Sequence, residues 1–360
     1  MKLGDELLLR GCLAAGVVAL VLGLAACSTA GYYAQAVHGH LALMAAARPV
    51  DEVRTDARTP APLAKRLETA QQMRRFAVSD LGLPDNASYE RYADLGRPFP
   101  VWSVVAAPEF SLVLKQWCYP VVGCATYRGY FDLAAAEDYA RALRAEGYEV
   151  SVQGVAAYST LGWFPDPLLN SFVDRGEGAL AGLVFHELAH QVVYVPGDSA
   201  FNESFATAVE REGVRRWMDA HGTPEQRAAW TQYQARREQF LGLLRGARSE
   251  LAALYGSGLS TDEMRVRKAQ ILADLQRDYA VLRASWGGWA GYDRFFAQSI
   301  GNAHLGAVAT YNDMVPGFEA LLAAEGGDLP RFYAKARELA SLPRPQRHAQ
   351  LAAVAKAHGV

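Results

Sequence analysis

Hydrophobic and polar positions alternate with different periods along the chain, and the period changes twice. From Tyr32 to about Leu83, apolar residues recur among polar ones at helical spacing. Short runs rich in β-branched and aromatic residues then predict strands at residues 101–107, 129–133 and 148–155, with a helix at 134–146. Beyond them the pattern is helical again. The sequence therefore predicts an α+β fold that is mainly helical, with a small β-sheet.

Residues 223–285 differ from the rest because they are long, charged and amphipathic. Thr223-Pro224-Glu225-Gln226 and Ser260-Thr261-Asp262-Glu263 each have the spacing of a capping box, which marks a helix start. Leucines on the first helix can face apolar residues on the second, so the segment predicts a helical hairpin. Such a hairpin could be a structural arm, a lid over a cleft or a contact surface for a protein partner.

The last segment, residues 286–360, is predicted to be helical, with breaks at Pro316, Pro330 and Pro343. The predicted organisation has four parts. They are a signal segment at 1–26, a main body at 27–222, a hairpin insertion at 223–285 and a C-terminal helical part at 286–360 that completes the cleft.

Composition excludes one class of partner. The chain has 360 residues, of which 51% are hydrophobic and 21% charged, and its net charge is −2. No basic stripe is present, so we expect no nucleic acid partner.

The amino-terminal residues indicate export. Residues 11–26 form an uncharged apolar run, too short for a comfortable membrane span and typical of a signal peptide core. The run ends in small residues before Cys27, which resembles a lipobox and predicts a lipidated Cys27 that anchors the protein to a membrane. Ser28 resembles the residue found in lipoproteins of the outer membrane, so we expect an envelope protein facing the periplasm. A plain signal peptide or a signal anchor are the alternatives.

Cys118 and Cys124 are the cysteines that remain in the mature chain, and they flank a Pro and Gly turn. In an oxidising compartment the two thiols could form a disulfide across that turn. The alternatives are two free thiols in a core, or two further metal ligands.

His186-Glu187-Leu188-Ala189-His190 carries the strongest chemical signal. Residues four apart on an α-helix share one face, so both imidazoles can bind one ion. Glu187 points elsewhere and could reach a water in an open coordination position. We expect His186 and His190 near the centre of a helix.

A third ligand follows after a turn at residues 195–198. Asp198 or Ser199 could cap a helix over residues 201–217, which would carry Glu203 back toward the two histidines. Glu210, two turns further along, could accept the outward N–H of a ligand histidine. A chance match on an ordinary helix is the alternative, but the flanking segments are apolar, and an unpaired buried charge would be costly there.

The segment from His186 to Glu210 resembles the gluzincin metallopeptidases, and the whole chain resembles a bacterial lipoprotein family of predicted zinc aminopeptidases. Asn202-Glu203-Ser204-Phe205-Ala206 is similar to the second motif of zinc aminopeptidases. The resemblance implies one Zn²⁺, a peptide substrate and hydrolysis by metal-activated water. One departure is the shorter spacing between His190 and Glu203, which requires a tighter turn.

The resemblance also implies a Tyr or His from a later helix that donates to the oxyanion. Tyr311 is the candidate, while a core tyrosine is the alternative reading, and His304, Tyr233 and Tyr292 compete for the role.

Acidic residues before the motif could bind the α-ammonium of an aminopeptidase substrate, although a solvated loop carboxylate is the favoured interpretation for each. These residues are Asp166, Asp174 and Glu177.

Two other functions compete with a peptidase. An envelope scaffold lipoprotein could use a peptidase-like fold to bind peptides or partners without useful turnover. Hydrolysis of a non-peptide amide, for instance in the cell wall, would use the same water activation.

Overall fold

The computed structural model of the chain describes residues 30–119 and 123–359. The predicted signal segment and Cys27 lie outside these residues. The chain divides between Ala46 and Ala47 into two units. The described part of the first unit is a single helix, α1 (residues 30–46), which agrees with the helical spacing of apolar residues there.

The second unit is built mainly of helices. Its helices are α2 (Val50–Thr55), α3 (Ala61–Ser79), α4 (Leu133–Ala145), α5 (Asn170–Val173), α6 (Glu177–Ala189), α7 (Ser199–His221), α8 (Pro224–Tyr255), α9 (Thr261–Ser285), α10 (Asp293–Phe296), α11 (Asn302–Asn312), α12 (Val315–Ala324), α13 (Leu329–Ala340) and α14 (Arg344–Ala357). Its strands are β1 (Arg48–Pro49), β2 (Arg91–Ala93), β3 (Val101–Pro108), β4 (Trp117–Tyr119), β5 (Gly123–Ala125), β6 (Arg128–Tyr130), β7 (Tyr148–Val155) and β8 (Leu168–Leu169). The predicted α+β, mainly helical fold class is confirmed.

The three predicted strands form one antiparallel sheet in the order β6-β3-β7. Consecutive residues of β3, Val104 to Ala107, are all buried, so both faces of this central strand are covered. Val105 and Ala107 pack with Ala303 of α11, and α4 also packs on β3 and β7. The sheet thereby fixes the position of α11.

Two smaller pieces of β-structure were not predicted. β1 pairs antiparallel with β2, and β2 pairs parallel with β8. β4 and β5 form a two-stranded hairpin in which Cys118 lies opposite Cys124. These two cysteines form a disulfide, so the predicted pairing is confirmed. Strands of two or three residues are too short to show a period in the sequence.

Helices α6 and α7 pack against each other as the helix-turn-helix that the sequence predicts. Aromatic side chains pack on this pair from two other helices. Phe76 of α3 contacts Phe185 and Trp217. Phe205 stacks on Phe332 of α13. Phe185, Phe205 and Trp217 are all buried, so the pair lies in the core of the unit.

Helices α8 and α9 form the predicted hairpin, and both predicted capping boxes, at Thr223 and at Ser260, are present. Its inner leucines share one hydrophobic cluster with Phe296 and Leu305. Lys268 is buried and binds Glu149 of β7, which ties the hairpin to the sheet. The division of the chain at residues 223 and 286 stays a prediction.

The C-terminal helices begin where their prolines are placed. Pro316 and Pro330 lie in the first turns of α12 and α13, and Pro343 is the N-cap of α14. Within the described residues, no helix has both the length and the apolar composition needed to cross a bilayer.

Candidate metal centre

The two histidines lie at the C-terminal end of α6. The helix ends at Ala189, and His190 is its C-cap residue with helical backbone angles, bonded through its N–H to the His186 carbonyl. The expectation that both histidines lie near the helix centre is therefore wrong. The two residues are nevertheless one helical turn apart, as predicted. Both imidazoles are buried.

The short turn after His190 is held by side chains of α7. The Asn202 amide donates to the Val195 carbonyl and accepts from the Val195 N–H, at 2.8 Å each. Asp198 caps α7 by accepting from the Phe201 N–H, as predicted. The Asp198 carboxylate also accepts from Arg347 at 2.8 Å. These contacts make the tight turn that the short spacing to Glu203 requires.

Three ligand-type atoms converge at this point. The His186 Nε2 lies 3.2 Å from the His190 Nε2 and 3.2 Å from the Glu203 Oε2. The His190 Nε2 lies 3.4 Å from the same Glu203 oxygen. The structure thus brings together all three predicted ligands, which form the described group of residues suited to holding a metal ion.

The size of this triangle tests whether an ion fits. A tetrahedral ion with ligand bonds of about 2.0 to 2.1 Å requires its ligand atoms to lie about 3.3 to 3.4 Å apart. The three observed separations are 3.2, 3.2 and 3.4 Å. Two imidazole nitrogens and a carboxylate are also a donor set typical of catalytic metal sites. The residues present fit a single divalent ion.

Glu210 lies within hydrogen-bond distance of the His186 Nδ1, the ring nitrogen that faces away from His190 and Glu203. Its Oε2 lies 3.1 Å from the His186 Nδ1, which favours a proton on Nδ1 and directs Nε2 toward His190 and Glu203. Gly182 makes room for this carboxylate, because a Cβ at that position would lie 3.2 Å from the Glu210 Cγ. Among the described residues the buried His190 Nδ1 has no hydrogen-bond partner. Only one of the two histidines is thus oriented by a carboxylate.

The charges of the centre are strongly coupled. Burial alone would lower the pKa of His186, but its hydrogen bonds to Glu203 and Glu210 outweigh burial and raise it to about 10. Burial would raise the pKa of Glu203, but the charge and hydrogen bonds of the two histidines lower it to about 2. The centre therefore favours an anionic Glu203 facing positive charge, whether the positive charge is a proton or a metal ion.

Glu187 lies beside the first histidine and is partly exposed. Within the part of the chain that the structure describes, its carboxylate accepts no hydrogen bond and forms no ion pair. It is therefore available to accept a hydrogen bond from a molecule bound at the candidate metal centre.

Tyr311 of α11 lies across from the histidines. Its ring stacks on the His186 ring with centroids 6.3 Å apart, and 41% of the residue is exposed. The negative charge of Glu203, then burial, and more weakly Glu187, raise its pKa well above the usual value. The predicted tyrosine is thus at the centre and keeps its proton.

A comparison with protein families gives one result for almost the whole chain. Residues 31–351 match the model of a family described as "Putative aminopeptidase". The chain belongs to this family. Comparisons with curated proteins and with solved structures give no match. The matched residues of this aminopeptidase family member include His186, His190, Glu203 and Tyr311, so the whole metal centre lies inside the family region.

The other oxyanion candidates contact different parts of this family member. Tyr292 stacks on Phe240 with centroids 3.8 Å apart, and Tyr233 packs on Trp230. His304 is buried in the first turn of α11, where its Nδ1 accepts from the Gly301 N–H. Of the four candidates, Tyr311 is the one that the structure places against a ligand histidine.

The acidic residues considered for the substrate ammonium have structural partners. Asp166 is fully buried rather than solvated, and its carboxylate accepts from the Thr160 N–H and hydroxyl. Asp174 pairs with Arg66. Glu177 accepts from the Trp217 and Gln226 side chains.

Sequence reasoning missed several tyrosines around the centre. Tyr194 lies near enough to Glu203 that this carboxylate, after burial, contributes to raising its pKa. Tyr127 contributes to raising the pKa of Tyr311. Tyr89 is buried near Glu187. Tyr127 and Tyr89 are about 60 and 100 positions before the motif, so no local spacing could have indicated them.

The disulfide hairpin contacts the turn between the ligand helices. A Cβ at Gly123 would lie 2.8 Å from the Gly197 nitrogen and 3.0 Å from the Pro196 carbonyl carbon. Gly123 has φ of +74°, so both space and backbone favour glycine there. The hairpin closed by Cys118 and Cys124 thus packs directly on the turn that sets the distance from His190 to Glu203.

Proposed function

We propose that the protein is a zinc-dependent peptidase of the cell envelope that hydrolyses peptide bonds with metal-activated water, and that it acts as an aminopeptidase. His186, His190 and Glu203 would hold one Zn²⁺, Glu187 would be the general base, and Tyr311 would stabilise the oxyanion.

The convergence of the three donor atoms carries this proposal. Their separations of 3.2 to 3.4 Å suit zinc, and the donors come from two helices that the fold holds rigidly. Two imidazoles and one carboxylate leave a fourth position open, as catalytic rather than structural zinc sites do. Membership of a predicted aminopeptidase family supports a peptide substrate.

A bound zinc ion would lower the pKa of a coordinated water and polarise the scissile carbonyl. Glu187, with no competing partner, would take the proton of the attacking water and deliver it to the leaving amine. Tyr311, which keeps its proton, would donate to the carbonyl oxygen as negative charge develops there. Glu210 would hold His186 in the tautomer that presents Nε2.

We also propose that lipidated Cys27 anchors the protein to the outer membrane, facing the periplasm. The apolar segment before Cys27 and the residue that follows it support this location. The disulfide between Cys118 and Cys124 supports an oxidising compartment.

Purified protein is incubated with a mixed peptide library, with and without a chelator, and the products are identified by mass spectrometry. We expect metal-dependent removal of amino-terminal residues and one zinc ion per chain. Internal cuts would support an endopeptidase instead. The absence of any metal-dependent product would overturn the peptidase and favour a scaffold protein.

The variant Glu187→Gln tests the base. We expect it to retain zinc and to lose at least about 100-fold in kcat, because general-base catalysis contributes on that order. Glu212→Gln is the matched control, since Glu212 pairs with Arg215 and Arg216 on the same helix as Glu203. Undiminished turnover by Glu187→Gln would refute the assignment.

A further inference from the structure

A large open cavity lies between the helical hairpin and the helices that carry the metal centre. Its volume is about 920 Å³, a size typical of sites for small molecules and short peptides. Helix α8 forms one wall, and the end of α11, the first turns of α12 and Arg211 of α7 form the other. None of the three proposed metal ligands belongs to this lining. Arg211 and Asn312 do belong to it, and they directly follow Glu210 and Tyr311 in the chain, so the cavity is a separate site that adjoins the metal centre.

One end of the cavity carries an excess of negative charge. Arg211 donates to Glu238 and to Glu319, at 2.9 Å each. The side chain of the arginine is mostly covered, whereas those of the two glutamates are about half exposed. Two carboxylates therefore share one guanidinium, which leaves a net charge of −1 at this end.

The other end carries an excess of positive charge. Arg248 pairs with Asp313 at 2.9 Å. Arg245 also lines the cavity, and 53% of its side chain is exposed. Within the described residues Arg245 forms no hydrogen bond, and its nearest carboxylate, that of Glu238, lies 3.8 Å away. Two guanidiniums and one carboxylate leave a net charge of +1 here, and Arg245 is the cation with the weakest protein partner.

The separation of these charges along α8 matches the length of a short peptide. Glu238 lies seven positions before Arg245 and ten positions before Arg248, which places them about 10 to 15 Å apart along the helix axis. An extended tripeptide is about 10 Å long. A molecule of this length with an ammonium group at one end and a carboxylate at the other can therefore contact both ends of the cavity.

The middle of the cavity is apolar on both walls. Leu241 lines it on α8, one turn after the acidic end. On the opposite wall, Val315 and Pro316 line it between Asp313 and Glu319. These side chains are suited to covering an apolar side chain of a bound molecule, because burial of apolar surface is favourable.

We propose that this cavity is a binding site for short peptides, of about three residues, that have free termini and an apolar side chain. The peptide ammonium contacts Glu238 and Glu319, and the peptide carboxylate contacts Arg245 and Arg248. The site goes beyond the proposed peptidase activity, because peptide binding there requires neither a metal ion nor turnover.

The first test measures binding of the tripeptide alanyl-leucyl-alanine by isothermal titration calorimetry. The metal-free protein is used, with a chelator present, so that the probe stays intact. We expect saturable binding with one site per chain, and roughly 5-fold weaker binding by Arg245→Gln, because a charge-assisted contact becomes a neutral one. Arg267→Gln is the matched control, since Arg267 is exposed on α9 of the same hairpin and does not line the cavity. The control should bind the probe like the wild type.

The second test changes the probe instead of the protein. Amidation of the peptide carboxylate should weaken binding to the wild type by roughly 5-fold, but should weaken binding to Arg245→Gln little further, because both changes remove the same contact. Acetylation of the peptide amino group should show the same relation with Glu319→Gln. The wild type with modified probes tests the charge pattern without any substitution in the protein.

These measurements decide on the cavity independently of the peptidase. The proposal is overturned by an absence of saturable binding at probe concentrations up to about 10 mM. It is also overturned if Arg245→Gln binds like the wild type, or if blocked termini leave binding to the wild type unchanged, since the peptide then lies elsewhere. A wild type without turnover would refute only the peptidase, and the binding data would still decide whether the cavity holds peptides.

Discussion

Glu210 offers the most direct test of how the protein orients its proposed metal ligands. Its carboxylate lies 3.1 Å from the His186 Nδ1, and the residue 182 beneath it is glycine, which leaves space for the carboxylate. Replacing Glu210 with Gln keeps an acceptor oxygen but removes the charge. Replacing it with Ala leaves the Nδ1–H of His186, a residue only 9% exposed, without a partner.

The magnitudes follow from these two losses. A charge-assisted hydrogen bond is about 1 kcal/mol stronger than a neutral one, which corresponds to roughly a 5-fold loss of metal affinity for Glu210→Gln. A buried unpaired N–H costs about 1 to 3 kcal/mol, so Glu210→Ala should weaken metal affinity by roughly 10- to 100-fold. The order of affinity is wild type, then Glu210→Gln, then Glu210→Ala.

Zinc dissociation constants are measured by competition with a chromophoric chelator at fixed pH. Glu212→Gln serves as the control, because Glu212 lies on the same helix and pairs with arginines instead of the histidines. Wild-type affinity in both Glu210 variants would refute the orienting role. Equal weakening by Glu212→Gln would show that the effect comes from helix α7 as a whole.

Three further predictions follow from the same contacts. The pKa of His186 in the folded, metal-free protein is raised to about 10, so the stability that this group contributes is present below about pH 6.5 and is lost as pH rises toward 10. Zinc affinity should rise over the same window, because the ion competes with protons for the histidine. Denaturant titrations and zinc titrations at pH values from about 6 to 9.5 should show these opposite slopes. Asp198→Ala removes the carboxylate partner of the buried Arg347 and should lower the free energy of unfolding, measured in urea, by about 3 to 5 kcal/mol. Asp219→Ala, at an exposed ion pair near the other end of α7, should change it by less than about 1 kcal/mol, and equal losses would contradict the reasoning. Tyr311→Phe should lower kcat by about 100-fold with zinc content unchanged, and wild-type kcat in this variant would exclude Tyr311 from oxyanion stabilisation.

Most of the metal centre could be predicted from the sequence because its parts are close together in the chain. The spacing of His186 and His190 fixes a shared helix face, and the turn at residues 195–198 implies an antiparallel second helix. Glu203 and Glu210 are then placed by helical periodicity alone. Their distances in the structure agree with those local rules.

The other residues around the centre come from segments remote in the chain, and the sequence predicts their positions less well. The sequence offers Tyr311 with three competing residues, and the packing of α11 on the sheet and on α7 places Tyr311 against His186. The backbone conformation of Tyr89 depends on bonds from Gln71 and to Asp166, which lie far from it in sequence. The periodicity of apolar residues predicts local secondary structure and does not predict such long-range contacts.

By itself the sequence determined the helical hairpin, the capping boxes, the main sheet, the disulfide partners and the His-His-Glu group of the candidate metal centre. Each of these is specified by residues within one or two elements. The tertiary structure alone decided which tyrosine faces the histidines, which carboxylates are buried and which remain free, and how the disulfide hairpin meets the turn at Gly197. The physical reason is that burial and charge coupling depend on side chains brought together by packing of distant segments, whereas helix and strand periods are local properties of the chain.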